Sequence, residues 1–446
     1  MELGALREGL ECFRAVVRLS PAHAVAASNI AYLSVFDPTA SPEQALRAAE
    51  DYAQTHAAPL AKRWLPHQNE RSPERRLRVG YVGIFQEHAT AYFLTPPLSH
   101  HDPQQFEVYG YAVNERQDAT TVRLSEHLTQ LRDVSSLTHA ETAALIRADQ
   151  IDVLVDFNMH MANSRLLAFA EKPAPVQICW LAYPGTTGLK TMDYRITDAS
   201  MDPEGAAHSL YTERSLCLPG PFWCYDPLTE HPAVSEPPAL KNGYVTFGSL
   251  NAFWKTNSDL FALWSRVLEA VPDSRFILYA PSAEAERLAR AAFAGQGIAG
   301  PRIHCVPART RVEYLAGYAD LDVALDTLPY SGHTTTLDAL WMGVPVVTML
   351  GQTAAGRAGL SVMRAAGLPD LVTETESDFV ARAQRLAQDL PALSTLRAGL
   401  RERLRSSPAM DGARFTRQFE AALRLAWQAW CSDRSHASDA TERGPQ

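Results

Sequence analysis

Between Leu325 and Met349 the chain reads LDTLPYSGHTTTLDALWMGVPVVTM, with Gly332, His333, Thr334, Thr335 and Thr336 together and Asp338 two residues further on. The segment leaves a short apolar run, crosses a polar loop and re-enters as an amphipathic helix carrying Leu337, Leu340 and Trp341. A helix that starts inside the threonine run presents unpaired N–H groups and the positive end of its dipole there. Glycine lets a ligand approach the backbone, while threonine hydroxyls either cap the helix or reach the oxygens of an anion. A diphosphate suits such a mouth, and Asp338 would then take the paired hydroxyls of a ribose. The same residues also suit a capped helix with a solvated aspartate, and the pattern alone leaves both readings open.

Two further groups carry chemistry-bearing side chains. In LVDFNMHMANSR, Asp156, Asn158 and His160 follow a strand-like run, so they fall at its C-terminal end, where α/β sheets bind ligands. Asp156 there suits either a proton acceptor or a loop cap. In FQEHATAYF, His88 is an imidazole whose ordinary pKa fits it to position a group or accept a proton, or simply to stand on the surface.

The elements that must hold these residues alternate. LRVGYVG, FEVYGYAV, IDVLVDFN, VQICWL and DYRITD read as apolar strands, with a capped helix from Thr138 and Glu141 feeding the third. A Pro-rich stretch over 219–243 separates them from YVTFGSLN, RFILYAP, RIHCVPA and LDVALDT. A helix follows the first of these, with Leu260, Leu263, Trp264, Val267, Leu268 and Val271 on one face. The pattern predicts two parallel α/β sheets in tandem, each covered on both faces. Ahead of them lie three helices, the third opened by a capping box of Ser41 and Gln44 with Pro42 in its first turn. Helix pairs of this kind suggest a tetratricopeptide-like unit. The predicted division is a helical segment over 1–64, a linker over 65–76, a first α/β domain over 77–240, a second over 241–405, a C-terminal helix over 406–430 and a disordered tail over 431–446.

Composition narrows the class. A chain of 446 residues exceeds one core, and 46% hydrophobic with 20% charged residues is that of a soluble globular protein. A formal charge of −9 argues against nucleic acid and anionic membranes as partners. Six scattered cysteines without metal-ligand spacing, no apolar run of spanning length and no signal segment point to reduced thiols and the cytoplasm.

The segment DTLPYSGHTTTLDALWMGVPVVTM resembles the signature of the O-GlcNAc transferase and SPINDLY family of glycosyltransferases. LRVGYVGIFQEHATAYFL, PAPVQICWLAYPGTTGLKTMDYRITD, FGSLNAFWKTNSDLFALWSRVLEAVPDS and GQTAAGRAGLSVMRAAGLPDLV resemble further blocks of that family, in order, and the likeness covers residues 77–430. The resemblance implies a GT-B fold, in which two Rossmann-like domains face a cleft. It also implies inverting transfer without a metal or a cofactor, from a UDP-sugar donor (UDP-GlcNAc) to Ser or Thr of a protein, with the helical N-terminus docking an extended acceptor peptide. Carried over to this chain, Gly332, His333, Thr334 and Thr335 hold the diphosphate, Asp338 the ribose, and Lys255 neutralises departing UDP. Arg309, Arg311 and Tyr314 lie where uracil is read, and Tyr183, Pro184, Gly185 and Thr186 beneath the sugar. His88, Asp156 and His160 fall in the catalytic blocks, with the base open among His88, Asp156 and a donor phosphate oxygen.

Lys255 departs from an ordinary surface lysine, because a cation just ahead of a helix is disfavoured by its dipole. The chain departs from the family at Met159, where glycine is usual, at Ala252 for a glutamine, at Tyr314 for a histidine, and by one residue fewer before His88. The alternatives are UDP-glucose with asparagine as acceptor, GDP-fucose as in SPINDLY, a UDP-sugar 2-epimerase, and a nucleotide-binding scaffold. His333 and Asp338 resemble the UDP users, and the oligomeric state is open.

Overall fold

The computed structural model describes residues 6–203, 208–228 and 231–433. The chain folds into two compact units, which for the described residues are 13–34, 41–226 and 412–433 (the N-terminal unit) and 6–12, 35–40 and 227–411 (the C-terminal unit). The passage from one to the other at Asp226 falls inside the Pro-rich stretch.

The N-terminal unit is built on seven strands, β1 (Leu77–Gly83), β2 (Phe106–Ala112), β3 (Gln130–Asp133), β4 (Val153–Asp156), β5 (Val176–Cys179), β6 (Tyr194–Asp198) and β7 (Arg214–Leu218). All pairings are parallel, in the order β3-β2-β1-β4-β5-β6-β7, so the chain reverses its direction of travel between β1 and β4. Strands buried on both faces need continuous apolar runs, and β4 and β5 are buried along their whole length. The expected helix before β4 is present over His139–Ala148 with its capping box of Thr138 and Glu141. The expected box at Ser41 opens Pro42–Tyr52, where the Gln44 side chain also accepts from the Ser41 amide at 2.7 Å.

The last helix, Gly412–Ser432, packs on this unit: Phe419 lies 4.8 Å from Trp180 between ring centroids, and the Arg424 guanidinium donates to the Arg75 carbonyl at 2.8 Å. It includes Cys431 and Ser432, and the rest of the expected tail, from 434 onward, lies outside the described residues. No helix among the described residues is long and apolar enough to cross a membrane, and all six cysteines are free thiols.

The C-terminal unit holds β8 (Thr246–Ser249), β9 (Arg275–Tyr279), β10 (Ile303–Val306), β11 (Val323–Leu325), β12 (Val346–Met349) and β13 (Val372–Thr373). They form a parallel sheet ordered β10-β9-β8-β11-β12-β13. The order is that of a dinucleotide-binding sheet, with its switch point between β8 and β11. The helix Ser258–Ala270 buries Leu260, Leu263, Trp264, Val267 and Leu268 as its spacing predicts, and Trp264 packs 5.1 Å from Phe276 of β9. This is the two-sheet α/β architecture expected from the alternation of strands and helices.

Candidate active site

At a switch point, the loops leaving two neighbouring strands diverge and open a crevice beyond their C-terminal ends. Lys255 and the glycine–threonine segment leave β8 and β11, the two strands that flank that point in the C-terminal unit. Lys255 closes a short 3-10 turn, Phe253–Lys255, that ends before the Ser258–Ala270 helix. Its ammonium donates to the Ser331 carbonyl at 3.2 Å and sits 4.4 Å from the centre of the Tyr330 ring. Burial brings its pKa down to about 8, against the opposing attraction of the Asp326 carboxylate. A lysine held this way is a cation short of solvation, which an incoming anion would stabilise.

The helix opposite starts where expected, over Thr334–Trp341, with His333 as its N-cap and no side-chain capping bond. The amide of Leu337 is the one that reaches back to the His333 carbonyl, so the three threonine amides ahead of it belong to the unpaired first turn. Thr336 spends its hydroxyl on the Gly332 carbonyl at 3.0 Å, whereas Thr334 and Thr335 are half-buried at the helix mouth. Burial and the neighbouring Lys255 push the His333 pKa well below its usual value, so the ring is neutral and only donates or accepts hydrogen bonds.

Gly332 has a different part from the expected one. Its amide donates to Asp326 at 2.6 Å, and a Cβ here would stand 2.7 Å from the Thr336 hydroxyl and 2.8 Å from the Asp326 carboxylate. The close approach it permits is therefore internal. Asp326 also accepts from the Thr327 amide at 2.8 Å and the Thr348 hydroxyl at 2.7 Å, which shapes the loop after β11. Ser331 pins the same loop to the helix Ala354–Ala365, donating to the Ala355 carbonyl at 3.0 Å.

Asp338 is buried, and both its oxygens accept from Arg311 at 2.6 Å. Tyr314 and Tyr318 share a hydrogen bond at 2.7 Å, and Tyr318 donates to the Thr335 carbonyl at 3.1 Å. Arg311, Tyr314, Thr335 and Asp338 thus form one cluster beside the helix mouth, while Arg309 is exposed.

The N-terminal unit holds the remaining predicted residues. His88, five residues beyond β1, is half-buried, and its Nδ1 accepts the Thr90 amide at 3.2 Å. Burial lowers its pKa, and an Nδ1 that accepts the Thr90 amide leaves the proton of the neutral ring to Nε2. Asp156 ends β4 beside β1, and its Oδ1 accepts the amides of Asn158 and Met159 at 2.8 and 3.0 Å. Met159 keeps the left-handed conformation that glycine favours, at φ 44°. His160 is 1% exposed, with Nδ1 against the Ser28 hydroxyl at 2.9 Å and Nε2 against the Thr187 carbonyl at 3.0 Å. Both ring nitrogens are engaged, so it ties the helix Ala24–Ser34 to the strand ends. The Thr186 hydroxyl donates to Glu213 at 2.6 Å, and Gly185 folds so tightly that a Cβ would meet the Tyr183 ring at 2.6 Å, which fixes the Pro184 turn.

Asp156 and His160 give this unit opposed acid responses. Burial raises the Asp156 pKa to about 6 and lowers that of His160 to about 4. Between pH 6.5 and 4 the folded chain binds the Asp156 proton that the unfolded chain does not, which stabilises it as pH falls. Over the same window the unfolded chain binds the His160 proton that the folded chain refuses, which destabilises it. Asp156→Asn removes the first effect and leaves the second. Its stability between pH 7 and pH 4.5 should fall by about 2 kcal/mol more than that of the unaltered chain, read as the change in denaturant midpoint.

Nothing in the sequence marks Asp326, Ser331 or Tyr330, although all lie in the segment that carries the threonines. An aspartate directly after a strand and a serine before a glycine are common turn residues, which hides them.

The model of glycosyl transferase family 41 matches residues 54–236 and 234–419. Over 372 residues the chain is 39% identical to a probable UDP-N-acetylglucosamine–peptide N-acetylglucosaminyltransferase SPINDLY of Solanum lycopersicum, covering 81% of this chain and 40% of that protein. It is 28% identical over 369 residues to the probable transferase SEC of Arabidopsis thaliana, covering 80% of this chain and 38% of that one. Among solved structures, a lysine-to-methionine mutant of the O-GlcNAc transferase of Thermobaculum terrenum is 39% identical with a TM-score of 0.89, covering 96% of this chain and 82% of that one. The chain spans about two-fifths of the length of the curated relatives it matches.

Proposed function

The chain belongs to glycosyl transferase family 41, and from that premise we propose that it moves GlcNAc from UDP-GlcNAc to Ser or Thr hydroxyls of a protein, with inversion and without a metal. The observation that carries this reading is the placement of the Lys255 ammonium and the Thr334 helix mouth on loops leaving the two switch-point strands, β8 and β11. The acceptor oxygen attacks the anomeric carbon, and the bond from that carbon to the β-phosphate oxygen breaks with its electron pair leaving on UDP. Lys255 and the first-turn amides take up that charge in a site already desolvated, so little reorganisation is needed as it develops.

The proton of the acceptor hydroxyl passes to a phosphate oxygen of the donor. His88 donates from Nε2 and so positions the acceptor, and Asp156 is buried beneath its own loop. The amides and neutral His333 fit a diphosphate, Asp338 is assigned to the ribose, and Arg311 and Tyr314 stand beside it for the base. His160 and the Tyr183–Thr186 loop act by holding the strand ends in place. The helical N-terminus presents the acceptor peptide.

Calorimetry with UDP, UDP-GlcNAc, UDP-glucose and GDP-fucose, followed by mass spectrometry of host proteins, tests this. Uridine nucleotides should bind at micromolar concentration and Ser or Thr should gain N-acetylhexosamine. Binding without modification would leave a scaffold, free ManNAc an epimerase, and preference for GDP-fucose a different donor. No binding of any nucleotide would remove the reading altogether.

A further inference from the structure

Residues 35–40 group with the C-terminal unit, although the helices before and after them, Ala24–Ser34 and Pro42–Tyr52, belong with the N-terminal one. The loop therefore brings a residue of the helical segment to the sheet that carries Lys255. That residue is Phe36, 2% exposed. Its ring stacks on Tyr330 with centroids 4.2 Å apart and planes 19° apart, and meets Trp254 edge-on at 4.4 Å. Tyr330 in turn lies 4.4 Å from the Lys255 ammonium, and 4.7 Å from the His333 ring with its hydroxyl 3.4 Å from Nδ1. One aromatic ring thus touches both side chains assigned to the diphosphate, and Phe36 is what that ring rests on.

We propose that Phe36 is a positioning residue for the leaving group, holding Tyr330 in the orientation that keeps Lys255 and His333 aimed at the diphosphate. The inference rests on the reading of Lys255 and His333 as the diphosphate site. A cation is attracted to the face of a ring and loses that attraction if the ring turns, so the orientation of Tyr330 is what must be kept. Aromatic packing on Tyr330 supplies that orientation, and an aliphatic side chain of similar volume fills the space without fixing it.

The test compares the whole chain with Phe36→Leu and Phe36→Tyr, all checked for unchanged melting cooperativity. The leucine variant keeps buried apolar volume, so it separates orientation from folding. UDP affinity is measured by calorimetry from pH 6.5 to 10. In the unaltered chain, affinity should weaken above pH about 8, where the free Lys255 loses its proton. The groups facing that ammonium are Asp326, His333 and Tyr330 in the loop after β11 and Asn251 after β8. Phe36→Leu should weaken UDP binding about tenfold and move the inflection upward, because a freed lysine regains water. Phe36→Tyr should restore both. A leucine variant with native affinity and the native inflection would overturn the proposal while leaving the donor site standing. If the unaltered chain itself binds no UDP, the donor site and this role for Phe36 fall together.

Discussion

Lys255→Met is expected to lower kcat with saturating donor by about 10²–10³-fold while leaving the melting temperature unchanged or slightly raised. The size follows from where the charge is. In the ground state the ammonium is short of solvation, with a carbonyl at 3.2 Å and a ring face for company. In the proposed transfer, negative charge grows on the leaving phosphate as its bond to the sugar breaks, and an interaction stronger then than before accelerates the step. Methionine keeps the stem and deletes the charge, so packing is conserved and the cost of holding a half-solvated cation disappears. The Asp326 carboxylate, which loses a neighbouring cation, retains the Gly332, Thr327 and Thr348 donors. Turnover measured by UDP release alongside a thermal melt decides it. A variant keeping activity within threefold would end the role given to this residue, and a variant that fails to fold cooperatively would move it from chemistry to scaffold.

Much of this was legible because two-sided burial leaves a plain mark. Strand β11 is apolar throughout, and β1, β4 and β5 are apolar but for Arg78, Asp156 and Gln177, while the capping boxes at Ser41 and Thr138 sit where a serine or threonine is followed three residues on by glutamine or glutamate. Edge strands carry less. Gln130–Asp133 has no buried residue and a polar sequence, and its pairing with β2 is a backbone matter that side chains do not announce. The threonine run was visible as a helix start because helices need N-termini, but the division of labour inside it was not. In the sequence Gly332 suits the approach of a ligand, but its amide is engaged by Asp326 six residues earlier. The sequence offers His160 by its chemical type alone, because its burial against Ser28 depends on a helix more than a hundred residues away. Local pattern reports which backbone groups a helix leaves unpaired. It does not report which distant side chain comes to meet a residue.

Met159 illustrates the same limit from the other side. A methionine in place of glycine suggests a rerouted loop, but the backbone holds the left-handed conformation at φ 44° with its amide on Asp156. The cost of that conformation for a side-chain-bearing residue is about 1 kcal/mol and is offset by full burial of the thioether. Burial and the bond of its amide to Asp156 thus hold a methionine in a backbone conformation that glycine favours.

The pair of Arg311 and Asp338 yields the second large effect. Asp338→Ala leaves the Arg311 guanidinium in a site where its side chain is 13% exposed and its partner was 1% exposed. Breaking such a pair from one side costs about 3–5 kcal/mol, because the remaining charge loses the bidentate carboxylate that offset its desolvation. The melting temperature should drop by about 10 °C. Stability alone does not separate an aspartate that holds ribose from one that merely braces Arg311. Asp338→Leu combined with Arg311→Met does, since replacing both ions by apolar side chains of similar volume is close to neutral. If Asp338 takes the ribose hydroxyls, the double variant should melt near the unaltered chain but bind UDP at least tenfold more weakly, losing its preference for UDP over the 2′,3′-dideoxy nucleotide. Recovery of both melting temperature and that preference would make the pair a brace for the Thr334 helix, and the sugar of the nucleotide would then have to be read by another group.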